Sequence, residues 1–193
     1  MRFLLAMLLT GCVPHLTTTE TVEDTGPWNW DVPENTWPVS TPPDGTEGEG
    51  FSKGDVVPDL RLTDQNGDEV SLWQFYGNVV LLDISTMWCA PCRELAKDTE
   101  HTYQDYKEDG FVYLTILQET SGGGPPAKSD LNDWADAYEI TAPVLADGEK
   151  LAEEAVSQGQ YPALLLVDRK LKVIGPVSPP EDAVVRDAIA DAL

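Results

Sequence analysis

Two cysteines separated by two residues, Cys89-Ala90-Pro91-Cys92, stand behind a short apolar run, Val79 to Ile84, and open a stretch of helical character, Pro91 to Lys107. No other feature restricts the fold as much. Two thiols at this spacing meet where the chain turns into a helix. There the unpaired backbone N–H groups and the positive helix end stabilise a thiolate. A thiol pKa near 8.5 falls to roughly 3.5–7.5 in such places. Pro91 suits the first turn, because the N–H it lacks would be orphaned there anyway. The pattern predicts dithiol exchange: Cys89 attacks as the exposed nucleophile, and Cys92, one turn inward, resolves the mixed disulfide.

Other uses of a cysteine pair fit less well. A zinc site needs two more ligands, yet there is no second cysteine pair, and His15 and His101 are isolated. Haem attachment needs histidine after the second cysteine, where Arg93 stands. A structural disulfide across two residues would staple almost nothing. No metal and no cofactor are expected.

The third cysteine has a separate explanation. Arg2 precedes a short apolar run, Phe3 to Leu9, which ends in Leu9-Thr10-Gly11-Cys12. The run is too short to span a bilayer and has the form of a secretory signal. The last four residues resemble the bacterial lipobox, which implies cleavage before Cys12 and acylation of its thiol and new N-terminus. One acyl chain binds a membrane marginally, at about 0.8 kcal/mol per methylene, whereas two or more anchor stably. Residues 1–11 are thus expected to be a signal peptide. The mature chain would be lipid-anchored in the cell envelope, on the extracytoplasmic side. The formal net charge of −22 sets nucleic-acid binding aside, since phosphate would repel it.

Residues 12–52 are expected to be the lipidated cysteine and a tether. They are rich in Thr, Pro and Gly, carry acids and no Lys or Arg, and show no apolar period. Such a stretch is expected to bury too little surface to offset its ordering entropy. Trp28, Trp30 and Trp37 are unusual there. They are read as packing loosely on the domain or sitting near the membrane interface, with partner docking as the alternative.

Residues 53–193 are expected to be the folded domain. Leu60 to Leu62 and Glu69 to Leu72 flank an Asn66-Gly67 turn signal and predict a hairpin. Phe111 to Leu117 reads as a strand. Leu131, Trp134, Ala135 and Tyr138 mark an amphipathic helix, with Ser129 and Asp130 as candidate caps. A short strand is expected at Ala142 to Ala146 and a helix at Glu149 to Val156. Ala163 to Val167 and Leu171 to Ile174 read as a second hairpin, and Glu181 to Leu193 as a closing helix. Strands alternating with helices and ending in a hairpin imply an α/β fold with a mixed sheet.

The run from Val79 through Trp88 to Cys92 resembles the active-site strand and turn of the thioredoxin superfamily. The added N-terminal hairpin and the helical insert around Leu131 to Tyr138 resemble its TlpA-like branch of extracytoplasmic thiol–disulfide oxidoreductases. The resemblance implies a thioredoxin-like fold, a mixed central sheet flanked by helices. It implies protein thiols and disulfides as partners, with an upstream electron donor. It also implies roles for Trp88 beside the first cysteine and for Pro162 as the family's cis-proline. Tyr161, Ala90 and Pro91 are implied substrate contacts. Asp83 stands where the family keeps a buried acid that handles the proton of the second cysteine, although an ordinary strand-end Asp reads equally well. The sequence departs from the pattern at Ile84-Ser85, where aromatic residues are usual, and at Tyr161, where threonine is more common. Two other functions remain. A peroxiredoxin-type peroxidase is suggested by Thr86, three residues before Cys89, but opposed by Leu82 where that family has proline. A non-catalytic adaptor would be expected to lose a cysteine or Pro162.

Overall fold

The computed structural model describes residues 29–156 and 159–193. The signal-like segment, Cys12 and Trp28 lie outside the described residues. Seven strands form one mixed sheet: β1 (Arg61–Asp64), β2 (Glu69–Ser71), β3 (Val79–Ser85), β4 (Phe111–Leu117), β5 (Val144–Ala146), β6 (Ala163–Val167) and β7 (Val173–Pro176). Their order is β2-β1-β5-β4-β3-β6-β7. β3, β4 and β5 run parallel, and the other neighbouring pairs are antiparallel. Central β3 and β4 are buried along their whole length, which explains their near-continuous apolar sequence.

Three helices lie against one face of this sheet: α1 (Ala90–Tyr106), α2 (Lys128–Tyr138) and α3 (Asp182–Ala192). Cys92, Leu95 and Ala96 of α1 share a core with Leu131 and Trp134 of α2, Val185 and Ile189 of α3, and Val79 and Leu81 of β3. The alternate residues Val80, Leu82 and Ile84 face the other side. After α1 the chain makes a 3₁₀ turn, Lys107–Asp109. Gly110 then reverses it at φ 84°, a left-handed conformation open to glycine. The first hairpin closes on Asp64, whose carboxylate accepts the N–H groups of Asn66 and Asp68.

The second face of the sheet corrects the expectation of a tether reaching residue 52. Residues 29–52 form a strap along the domain. Trp30 and Phe51 are buried in the same core as Val80, Leu82 and Ile84. Each such aromatic burial stabilises by about 2–4 kcal/mol. The polar groups of the strap are also satisfied by the domain. Trp30 Nε1 donates to Asp59 at 3.0 Å and Trp37 Nε1 to Asp64 at 2.7 Å. Asn35 Nδ2 donates to the Glu69 carbonyl, and Ser40 N to the Gln74 carbonyl. Further on, Glu49 N and Gly50 N donate to the Val56 carbonyl, and Val56 bridges to Lys172 beyond β6. An irregular strap buries isolated side chains without any period, so composition misread it.

Three smaller expectations also change. Glu149 to Val156 holds a 3₁₀ turn, Glu153–Ala155, and no α-helix, with Ala152 and Val156 packed on the strap side. The N-cap of α2 is Ala127. Asp130 serves that cap by accepting the Ala127 N–H, while Ser129 lies inside the helix. In the second hairpin Leu171 belongs to the turn, at φ 64°, and β7 begins at Val173.

Candidate active site

β3 ends at Ser85, and the chain reaches α1 four residues later with Cys89 as its N-cap. Cys89 and Cys92 are joined in a disulfide, their Cα atoms 5.3 Å apart. The Cys92 N–H points at Cys89 Sγ, 3.2 Å away. In the reduced protein that N–H and the helix end would stabilise a Cys89 thiolate. Cys92 has no exposed surface, whereas Cys89 keeps 4%. Cys89 is thus the more accessible of the two, although both are largely enclosed.

Trp88 projects from the turn and is 47% exposed. Its Nε1 donates to Glu119 Oε2 at 2.7 Å, and Lys150 Nζ binds the other oxygen of Glu119 at 2.7 Å. Those two donors hold the Glu119 carboxyl below its ordinary pKa, Lys150 most strongly. Trp88 also meets Tyr161 edge to face, with ring centroids 5.9 Å apart. The Tyr161–Pro162 peptide bond is cis. Pro162 leads into β6, the neighbour of β3, and Pro91, Tyr161, Pro162 and Leu164 line one groove beside the disulfide. Ala90 is the first residue of α1, exposed beside Cys89.

Tyr161 is positioned from behind. Its hydroxyl donates to Gln118 Oε1 at 2.7 Å, and Gln118 Nε2 donates to Asp147 Oδ2 at 2.8 Å. Asp147 also accepts the Leu151 and Ala152 N–H groups. Burial, then the charge of Glu153, raises the Tyr161 pKa. Gln118, Glu119, Asp147 and Lys150 carry no motif. They come from just past the end of β4 and from the loop after β5, and no local pattern marks them.

Asp83 follows Val79 and Leu81 at two-residue steps along β3 and so shares their helix-side face, the side of the cysteine pair. It is buried, with Ser85 Oγ at 2.5 Å and the Tyr113 hydroxyl at 3.3 Å. Burial pushes its pKa to about 6 against the pull of these two donors. Tyr113 rises well above its ordinary pKa, through burial and then the Asp83 charge. Among the described residues no group of acids, histidines and cysteines could hold a metal ion.

The AhpC/TSA family model matches residues 53–175. The chain belongs to the AhpC/TSA family. That match covers the sheet from β1 to β7, the cysteine turn and the Tyr161–Pro162 loop. Within this family setting, the chain is 28% identical over 128 residues to the thiol-disulfide oxidoreductase ResA of Geobacillus kaustophilus. That alignment covers 66% of this chain and 70% of the relative. The thioredoxin domain of a thiol-disulfide oxidoreductase from Bacteroides vulgatus superposes with a TM-score of 0.61 at 19% identity, covering 75% of this chain and all of that domain. The peroxidoxin BcpB of Mycobacterium tuberculosis superposes with a TM-score of 0.59 at 19% identity, covering 73% of this chain and 96% of that one. The fold is thioredoxin-like, and by itself it does not choose between dithiol exchange and peroxide reduction.

Proposed function

We propose that this chain is a lipid-anchored, extracytoplasmic thiol–disulfide oxidoreductase that reduces protein disulfides through Cys89 and Cys92. It is a thiol–disulfide oxidoreductase because a redox-joined Cys-x-x-Cys pair opens α1 in an AhpC/TSA-family chain whose relatives carry that activity in their names. The observation that carries this most directly is the Cys89–Cys92 disulfide at the helix N-terminus, with Cys89 Sγ facing the Cys92 N–H.

The steps follow from that geometry. In the dithiol form the Cys89 thiolate attacks one sulfur of a partner disulfide. The partner's other sulfur leaves as a thiolate and takes a proton. Cys92 then loses its proton and attacks Cys89 Sγ, which releases the partner as a dithiol and leaves the bond observed here. Asp83 is assigned to receive the Cys92 proton, as a buried acid with a raised pKa on the same side of β3. Pro162 and Tyr161 shape the groove where the partner's extended backbone would lie, Pro91 lines the same groove, and exposed Ala90 precedes it at the start of α1. A second dithiol, from an upstream donor, returns the enzyme to its reduced form.

A reducing direction is favoured by what surrounds Cys89. Strong oxidants of this kind stabilise their thiolate heavily. Two cations close to the cysteine turn are otherwise engaged. Arg93 donates to the Met87 carbonyl, and Lys150 is paired with Glu119. A chain of net charge −22 further disfavours an added negative charge. Anchoring rests on Leu9-Thr10-Gly11-Cys12. Among the described residues no helix is long and apolar enough to cross a membrane.

One observation favours the peroxidase reading: Thr86 Oγ1 is buried without a hydrogen-bond partner at the cysteine turn. A single assay separates the two. Reduced protein should cleave insulin disulfides in a Cys89- and Cys92-dependent way and consume hydrogen peroxide slowly. Rapid peroxide turnover with feeble insulin reduction would defeat the exchange reading. Cys92→Ala should trap the native partner on Cys89.

A further inference from the structure

The groove beside the disulfide does not end at Pro91. Pro91 and Pro180 line it and also line a second groove, which continues between α1 and the start of α3. The two prolines and Leu95, which is 5% exposed, give the second groove an apolar lining. The rest of its lining is acidic: Glu94 and Asp98 of α1, Glu181 at the N-cap of α3, and Asp182 in the first turn of α3.

The helices that carry these acids do not account for all of them. The positive end of α3 favours Glu181 and Asp182. Asp98 lies in the third turn of α1, beyond the reach of a helix end. It stands four residues from Glu94, a like-charge spacing that weakens a helix. Internal cations do little to neutralise the group. Lys97 meets Glu94 at 2.5 Å, but both side chains are exposed and water screens the pair. Asp182 accepts from the Thr102 hydroxyl, a neutral group, and Arg186 of α3 pairs with Asp105 instead. Among the described residues Asp98, Glu181 and Asp182 form no ion pair.

An apolar lining with carboxyls around it matches one kind of side chain. Lysine and arginine lay a methylene stem along apolar surface and keep the charged head among acceptors. A metal ion would gain nothing from Leu95 and the prolines, and these carboxyls do not gather into a metal-holding group. Distance sets where such a side chain would stand. Along α1, Glu94 and Asp98 follow Cys89 by about 7.5 and 13.5 Å of helix rise. An extended chain covers that span in about two to four residues.

We propose that the groove between α1 and α3 is a subsite for a lysine or arginine of the partner polypeptide, about two to four residues from its reacting cysteine. The proposal rests on the exchange reading and narrows it: the partners are proteins whose disulfides are flanked by basic residues. The net charge of −22 draws any cationic chain toward the domain, and the subsite holds one basic side chain in register with the sulfurs.

The test uses the full chain, reduced, in neutral detergent micelles, with cyclic disulfide peptides of one parent sequence. One peptide carries a single arginine about three residues from a cysteine, in two versions, before or after it. A second carries glutamine at those positions, a third carries glutamate, and a fourth carries its arginine about ten residues away. The measured quantity is the rate at which peptide dithiol forms. Wild type should reduce the near-arginine peptide, in at least one version, about fivefold faster than the glutamine peptide. The distant arginine should gain no more than about twofold, from long-range attraction alone. Glu94→Gln with Asp98→Asn should bring the near gain down to the distant one. Asp98→Lys should reverse the order, so that the glutamate peptide reacts faster than the arginine peptide. Both positions are exposed, and unchanged melting of the variants checks that the fold is kept. An equal gain from near and distant arginine, or a near gain that survives in the variants, would overturn the subsite and leave the exchange reading in place. Failure to reduce any of the peptides would overturn the exchange reading and the subsite together.

Discussion

Replacing Asp83 by Asn should stabilise the domain at neutral pH and leave it unchanged near pH 4. Asp83 is buried, and its pKa rises from 3.8 to about 6. An acid whose folded-state pKa lies above its unfolded value binds its proton more tightly in the folded protein. Its contribution therefore falls as pH rises from about 4 to about 6, and is flat beyond. A shift of about two units amounts to about 3 kcal/mol at pH 7. Asn keeps the shape of the side chain, and the Ser85 and Tyr113 hydroxyls can rotate to suit its amide. The assay is urea unfolding of oxidised wild type and Asp83→Asn between pH 4 and pH 8, with the cysteines locked so that they do not titrate. The variant should gain about 3 kcal/mol on the wild type across that range, or about 6–12 °C in Tm. A difference that does not move with pH would refute the argument that burial governs this carboxyl. The same variant should resolve the mixed disulfide on the order of 100-fold more slowly if Asp83 accepts the Cys92 proton.

Further outcomes follow from other parts of the structure. Cys89 in reduced protein should alkylate well below pH 8 while Cys92 stays protected, because only Cys89 keeps exposed surface; faster labelling of Cys92 would reverse the roles. Trp30→Ala should cost about 3 kcal/mol in denaturant titrations, since it removes a buried aromatic and the bond to Asp59. An unchanged midpoint would mean that the strap does not hold. Gln118→Leu should cost about 1–3 kcal/mol by leaving the Tyr161 hydroxyl and one oxygen of Asp147 without their partner. It should also alter the exchange rate through Trp88, which Tyr161 braces; wild-type stability and rate together would sink that assignment.

The sequence by itself determined the chemistry and the outline of the fold. Cys89-Ala90-Pro91-Cys92 behind an apolar run needs only local geometry: a strand, a turn, and a helix whose first N–H groups face a sulfur. The alternation of strands and helices, and the Asn66-Gly67 hairpin, are likewise written in short-range periods and turn residues. The rest depends on residues far apart in the chain. The helix-free face of the sheet is closed by Trp30 and Phe51 from a segment whose composition reads as unstructured, because burial of single side chains leaves no period. Gln118, Glu119, Asp147 and Lys150 acquire roles only when β4 and the loop after β5 bring them under Tyr161 and Trp88. Asp83 could be an ordinary strand-end acid until the folded core buries it beside Tyr113 and removes the water that would hold its pKa down. The direction the disulfide faces, relative to the strap and the C-terminus, is fixed by sheet register, and register joins residues from about thirty to more than eighty positions apart.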